Sequence, residues 1–157
     1  MELTRIGTVT AHLKPPVMIG PGPYGVRMFI EILDGVLEGD PAVPEVGTLT
    51  GKVLPGGGDW ALIGADGFAR LDVRVQFETS DGAAIYASFP GLIEMNDKVQ
   101  RAFGEGLGTD FEDQYFRVTP RLETGDSALN WVNQTTFLGE GRFVEGFGLQ
   151  YNMFRVG

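Results

Sequence analysis

The stretch VLPGGGDW, residues 53–60, sets the carboxylate of Asp59 beside the large apolar Trp60, directly after three glycines. A little further on, FARLDVRVQF (68–77) carries Asp72 and Arg74. Two carboxylates sharing one enclosure repel, which raises the pKa of one of them; a nearby guanidinium lowers it. Carboxylates tuned in this way suit general acid–base work. Arg74, or Arg27 earlier in the chain, would then hold a substrate carboxylate or an oxyanion.

The elements that must bring these residues together are strands. Asp66-Gly67 lies between DWALIGA and FARLDVRVQF, and Asp81-Gly82 between VQFETS and AAIYASF. Asp-Gly between alternating runs is a hairpin signal, because both turn positions tolerate positive φ. Residues 59–89 are therefore expected as a three-stranded meander. Two-residue turns would set Asp59 opposite Arg74 and Ala61 opposite Asp72, with Gln76 opposite Ala87 and Arg74 opposite Phe89. Side chains alternate between faces. Trp60 would then share a face with Leu71, Val73, Val75 and Phe77. Asp59 would share the other with Asp72, Arg74, Gln76 and Glu78, alongside Ala61, Ile63, Ile85, Ala87 and Phe89. Charged groups among apolar walls are the makeup of a ligand cavity. The alternative is an outer cross-strand charge cluster, worth little energetically.

A second hairpin, QYFRVTPRLET with SALNWVNQTTFL around Gly125-Asp126, is expected to put Tyr115, Arg117, Arg121 and Glu123 on one face. Trp131 and Asn133 fall on the other, where a buried Asn133 would need a partner. Elsewhere, LTRIGTVTAHL (3–13), VRMFIEIL (26–33), TLTGKVL (48–54) and FGLQYNMFRV (147–156) read as strands. KPPVMIGPGPYG (14–25) reads as a loop, Asp34-Gly35 and Gly39-Asp40 as a turn, and IEMNDKVQRAF (93–103) as the one helix. The fold class expected is all-β with at most one short helix: an antiparallel closed barrel, lipocalin-like in general shape, in a single domain over 1–157. Closure is preferred to a sandwich because it removes exposed edges.

Composition excludes several functions. The net charge of −9 opposes nucleic acid and anionic membrane surfaces as partners. With no Cys and a single His, His12, thiol catalysis and zinc are disfavoured; no metal site and no cofactor are expected. Neither a G-x-S-x-G elbow nor a phosphate loop occurs. The start, MELTRIGTVTAHL, has no signal-peptide pattern, so the expected location is cytoplasmic. The expected partner is a small molecule, with assembly into a homo-oligomer left open.

The segments YGVRMFIEILDGVLEG, LTGKVLPGGGDW, DGFARLDVRVQFETSDGAAIYA and YFRVTPRLETGDSALNWVNQTTFLGEGR resemble the DUF3237 family, also called UPF0311, from about Pro21 to Val156. Its motifs fall on Arg27, Asp59, Trp60, Asp72, Arg74, Asp81, Gly82, Arg121, Glu123, Trp131 and Asn133. Where most members read Gly-Gly-Ala-Asp-Trp, this chain has Gly58 in place of the Ala. The resemblance implies a compact antiparallel barrel and supplies no reaction. Two functional readings follow. In the first, a cofactor-free enzyme moves protons on a small carbonyl, lactone or aromatic compound, as an isomerase, hydratase, cyclase or lyase. Asp59, Asp72 and Arg74 would be catalytic, and Arg27, Trp60, Tyr86, Arg121, Glu123, Trp131 and Asn133 would bind the ligand. In the second, the barrel is a non-catalytic carrier; a structural or oligomerisation domain is the remaining alternative.

Overall fold

The computed structural model describes residues 1–157, the side chain of Thr48 excepted. Twelve strands run in chain order: β1 Leu3–Leu13, β2 Val17–Gly22, β3 Gly25–Gly39, β4 Gly51–Val53, β5 Gly57–Asp59, β6 Leu62–Ile63, β7 Phe68–Thr79, β8 Ala84–Glu94, β9 Phe116–Val118, β10 Arg121–Glu123, β11 Phe137–Val144 and β12 Gly148–Val156. One α-helix, α1 (Asp97–Glu105), follows β8. The strands close into an eight-staved antiparallel barrel. Around the ring β1 pairs with β3, β3 with the short β4, β5 and β6, these with β7, then β7 with β8, β8 with β9, β9 with β11, β11 with β12, and β12 with β1. Strand β2 is a flap hydrogen-bonded to β3, and β10 pairs with β8 beyond the end of β9.

Strand β7 shows why the chain folds this way. Its alternation sends Ala69, Leu71, Val73, Val75 and Phe77 inward, all buried, while Arg70, Asp72, Arg74 and Gln76 stay exposed. Each of the larger of these, Leu71, Val73, Val75 and Phe77, stabilises the fold by about 1.5–3 kcal/mol when fully buried. Across the ladder Val73 meets Phe89, Val75 meets Ala87 and Phe77 meets Ile85, so apolar faces apolar.

That register differs by one residue from the two-residue turn count. Asp59 pairs with Val73, and Gly58 with Arg74; Arg74 pairs with Ser88 rather than Phe89. Both loops hold three residues, not two. Gly64 N donates to Phe68 O at 2.9 Å and Thr79 N to Ala83 O at 2.8 Å, each loop ending on a glycine of positive φ, Gly67 (80°) and Gly82 (87°). This is a type I turn closed by a left-handed bulge. Side chains favour the longer loop: Asp66 Oδ1 accepts from Phe68 N at 3.2 Å, and Thr79 Oγ1 accepts from Ala83 N at 3.0 Å. A one-residue shift turns every side chain to the other face. The mixed face of charged and apolar groups therefore does not exist.

Other expectations are also corrected. The loop 14–25 contains β2, whose pairing with β3 builds a hairpin. Strand β3 runs straight through Asp34-Gly35, which forms no turn. The 48–54 strand shortens to β4. The second hairpin is absent: β9 and β10 both pair with β8, and Ser127–Gln134 coils into a 3-10 helix capped by Asp126. Helix α1 starts later than Ile93, behind the cap Asn96, whose side chain accepts from Val99 N at 3.0 Å. His12 is exposed and paired with Asp34.

Two glycines should respond differently to alanine. At Gly82 a Cβ meets nothing within 4 Å, so only the left-handed backbone costs, about 1–2 kcal/mol. At Gly51 the Cβ lands 2.0 Å from the Glu78 carbonyl oxygen, so β4 must part from β7 and the loss should be larger. Urea denaturation of the two variants checks this; equal midpoints would contradict the three-residue loop and the close strand approach.

Candidate functional site

Inside the barrel a chain of aromatic rings crosses the core. Phe77 packs edge-on to Phe89 (6.2 Å between centroids), Phe89 stacks on Tyr151 (5.2 Å), and Tyr151 meets Phe116 edge-on (5.4 Å). Phe116 then touches Phe143 (5.5 Å), which meets Phe103 of α1 (5.0 Å). Beside these rings lies a cavity of about 40 Å³, walled otherwise by aliphatic side chains such as Ile30, Val73 and Leu71. Among the described residues, two of those lining it are polar, Asp59 and Tyr151.

Asp59 arrives there because β5 is so short. Gly57 and Gly58 carry the backbone close between β3 and β7, and alternation then turns residue 59 inward. Its Oδ1 accepts from Asp72 N at 3.0 Å, while Trp60 N donates to Asp72 O at 3.2 Å. The carboxyl thus takes a ladder position where β5 leaves β7. Its pKa is pushed up from 3.8 to about 7. Enclosure among apolar groups is the main cause; the Asp72 N–H opposes it, and the negative charge of Asp72 adds to it. Tyr151 is fully enclosed, and burial with the nearby Asp59 charge drives its hydroxyl pKa upward, so it stays protonated.

The other residues singled out from the sequence lie elsewhere. Asp72 and Arg74 point outward from β7 and are exposed. Among the described residues, no lysine or arginine lines the cavity. Trp60 also faces out, 42% exposed, with its ring on Phe29 at 5.0 Å; it does not pack with Val73 and Phe77. Arg27 Nη1 donates to the Trp60 carbonyl oxygen at 2.9 Å and so fixes that outer corner. The Phe29 ring fills the space beside Gly58, where an added Cβ would sit 2.4 Å from it.

Tyr86, Arg121, Glu123 and Asn133 gather outside the barrel, around an open groove of about 670 Å³. Arg121 lies across from Ser88 and Glu123 from Tyr86. Asn133 works as a clamp there: Oδ1 accepts from Thr124 N at 2.8 Å and Nδ2 donates to Thr124 O at 2.9 Å. Trp131 packs on Phe137 at 6.1 Å. Sequence reasoning missed Tyr151 and Phe103. Tyr151 had a signal: at the centre of LQYNMF it shares its inward face with Leu149 and Met153, a polar hydroxyl on an otherwise apolar stripe. Among the described residues, no three His, Asp or Glu side chains gather to hold a metal ion.

The family model described as "Protein of unknown function (DUF3237)" matches residues 1–156. The chain belongs to the DUF3237 family. One DUF3237 relative, UPF0311 protein RPA1785 of Rhodopseudomonas palustris, is 32% identical over 139 residues, covering 88% of this chain and 86% of that protein. Its crystal structure superposes with a TM-score of 0.84 over 99% of this chain and 97% of that one. A protein of Acinetobacter baumannii described as "beta-barrel like" aligns at TM-score 0.79 and 27% identity, over 99% of this chain and 96% of that one. At 18% identity and TM-score 0.68, the barrel also resembles in fold a protein of Penicillium herquei described as an enzyme, covering 99% and 94% of the two chains. The motif positions of this DUF3237 chain thus divide in space: Asp59 faces the cavity, while Arg27, Trp60, Asp72, Arg74, Arg121 and Glu123 face outward.

Asn133→Ala removes both bonds to Thr124 and should cost about 1–3 kcal/mol in a melting or urea experiment while leaving the interior cavity unchanged; unaltered stability would remove the clamp role. Asp59 has a clear pH signature. Its folded pKa lies above its unfolded value, so its contribution to stability is full below about 4 and is lost as pH rises through about 7. Wild type and Asp59→Asn should therefore have similar stability at pH 4, with the variant the more stable at pH 8. A constant difference across that range would mean the carboxyl titrates normally.

Proposed function

We propose that the protein catalyses proton transfer on a small uncharged molecule bound in the interior cavity, with Asp59 as the acid–base group. The observation that carries the reading is a single carboxyl, in an apolar enclosure without a cation, whose pKa lies near neutrality. A group poised there is present in both protonation states at working pH, the condition that acid–base catalysis requires. On a carbonyl compound, the Asp59 carboxylate takes a proton from the adjacent carbon, the C–H electron pair shifts toward the carbonyl, and the enolate oxygen so formed accepts a hydrogen bond from the neutral Tyr151 hydroxyl. Return of the proton from Asp59 to the same or another atom completes an exchange or an isomerisation with no change of oxidation state.

The description of the Penicillium herquei barrel as an enzyme is consistent with this reading, though that likeness extends to the fold alone. A non-catalytic carrier would use the apolar lining and have no need of the titrating carboxyl. The substitution Asp59→Asn separates the two, because asparagine keeps an acceptor for Asp72 N and removes the charge.

The test uses 2-tetralone, an uncharged carbonyl compound, in heavy water, with exchange of the protons beside its carbonyl followed by NMR. Wild-type protein should accelerate exchange with an apparent pKa near 7, and Asp59→Asn should lose roughly 10²–10⁴-fold of that acceleration. No acceleration by wild type, or equal acceleration by the variant, rejects the assignment.

A further inference from the structure

The cavity is too small for the function proposed above. About 40 Å³ accommodates little more than water, whereas pockets that hold organic ligands measure roughly 300–1,000 Å³. Some wall must move. The strands are poor candidates, because each is tied to neighbours by backbone ladders. Helix α1 is the part of the wall that lies outside the ladder, and its contribution to the cavity is Phe103.

Phe103 lines two spaces. One is the interior cavity; the other is a small recess bounded by the exposed Lys14 together with Pro16 and Phe147. Leu13, Ile30 and Phe143 also border both, but all three belong to barrel strands. The ring of Phe103 is thus the helical side chain that stands between the cavity and the recess.

The helix is held unevenly. Its start is pinned: Asn96 caps Val99 N, Asn96 Nδ2 donates to Asp113 O at 2.8 Å, and Lys98 is ion-paired with Asp113. Its last turn carries no basic residue, and Glu105 sits there against the helix dipole. Gly104 follows Phe103 directly, costing about 1 kcal/mol relative to alanine within a helix. The loop beyond stays anchored, since Gly146 N donates to Gly106 O at 2.8 Å. Gly106 N also closes the last turn on Ala102 O at 3.1 Å, so a change of side-chain rotamer at Phe103, rather than movement of the helix, is what can open the wall.

We infer that Phe103 is the entry gate of the cavity and sets the size of molecule that it admits. This rests on the reading that the cavity takes up a small molecule. When the ring swings toward the recess, its former volume joins the cavity, and the face of Phe143 that it covered becomes available to the ligand. The molecule admitted is not an anion, because among the described residues no cation lines the interior to pair one.

The experiment measures stopped-flow association of 2-naphthol with wild type, Phe103→Ala and Phe103→Trp, each checked for an unchanged circular dichroism spectrum; Phe103→Leu replaces the alanine variant if that one fails to fold. The smaller side chain should raise the association rate roughly tenfold or more, or confer binding that wild type lacks, and tryptophan should slow it. Equal rates in all variants overturn the gate. Absence of binding to the opened variant overturns it too, because an open doorway must admit the probe. If entry follows residue 103 while 2-tetralone exchange shows no dependence on Asp59, the proton-transfer reading falls and the gate stands.

Discussion

Closing eight strands into a ring leaves an interior only wide enough for their own side chains or one small ligand. Everything else in this molecule answers to that constraint. The inward positions are filled by aromatic rings in mutual contact from Phe77 to Phe103, and dense packing of this kind leaves few voids. A polar group placed in such a space cannot be solvated and must be either bonded or neutral. Asp59 is both: one oxygen takes the Asp72 N–H, and the elevated pKa keeps the carboxyl largely uncharged below neutrality.

The barrel was largely legible in the chain. Period-two alternation in FARLDVRVQF and the Asp-Gly turns require paired strands, and a closed ring is how so many short strands avoid open edges. The register was not legible from turn residues alone, because Asp-Gly fits both a two-residue turn and a three-residue loop with a left-handed bulge. The apolar pairs would have decided it: only the longer loop sets Val73 opposite Phe89 and Phe77 opposite Ile85. Reading Asp-Gly ahead of packing turned Asp59 toward Arg74 and Trp60 toward the core, the reverse of what strand pairing does.

The outer cluster shows a different limit. Tyr86 joins Arg121 and Glu123 because β10 pairs with β8, a contact between segments more than thirty residues apart, such as Arg121 with Ser88. Local alternation could not foresee it, and it favoured a strand for SALNWVNQ, which coils into a 3-10 helix. Phe103 was hidden for a related reason. Its role comes from where the end of α1 lands against β1, β3 and β11, which no local pattern encodes.

The Asn133 clamp bears on how the protein behaves in a crowded solution. Strand β10 ends the ladder on its side, and a 3-10 segment follows it in the chain rather than another paired strand. Bare backbone at such a point is a template on which a neighbouring chain can pair. One side-chain amide, presenting an acceptor and a donor to Thr124 as a strand would, occupies that template from within. The backbone of Thr124, just past the end of β10, is thereby closed to pairing with a further strand.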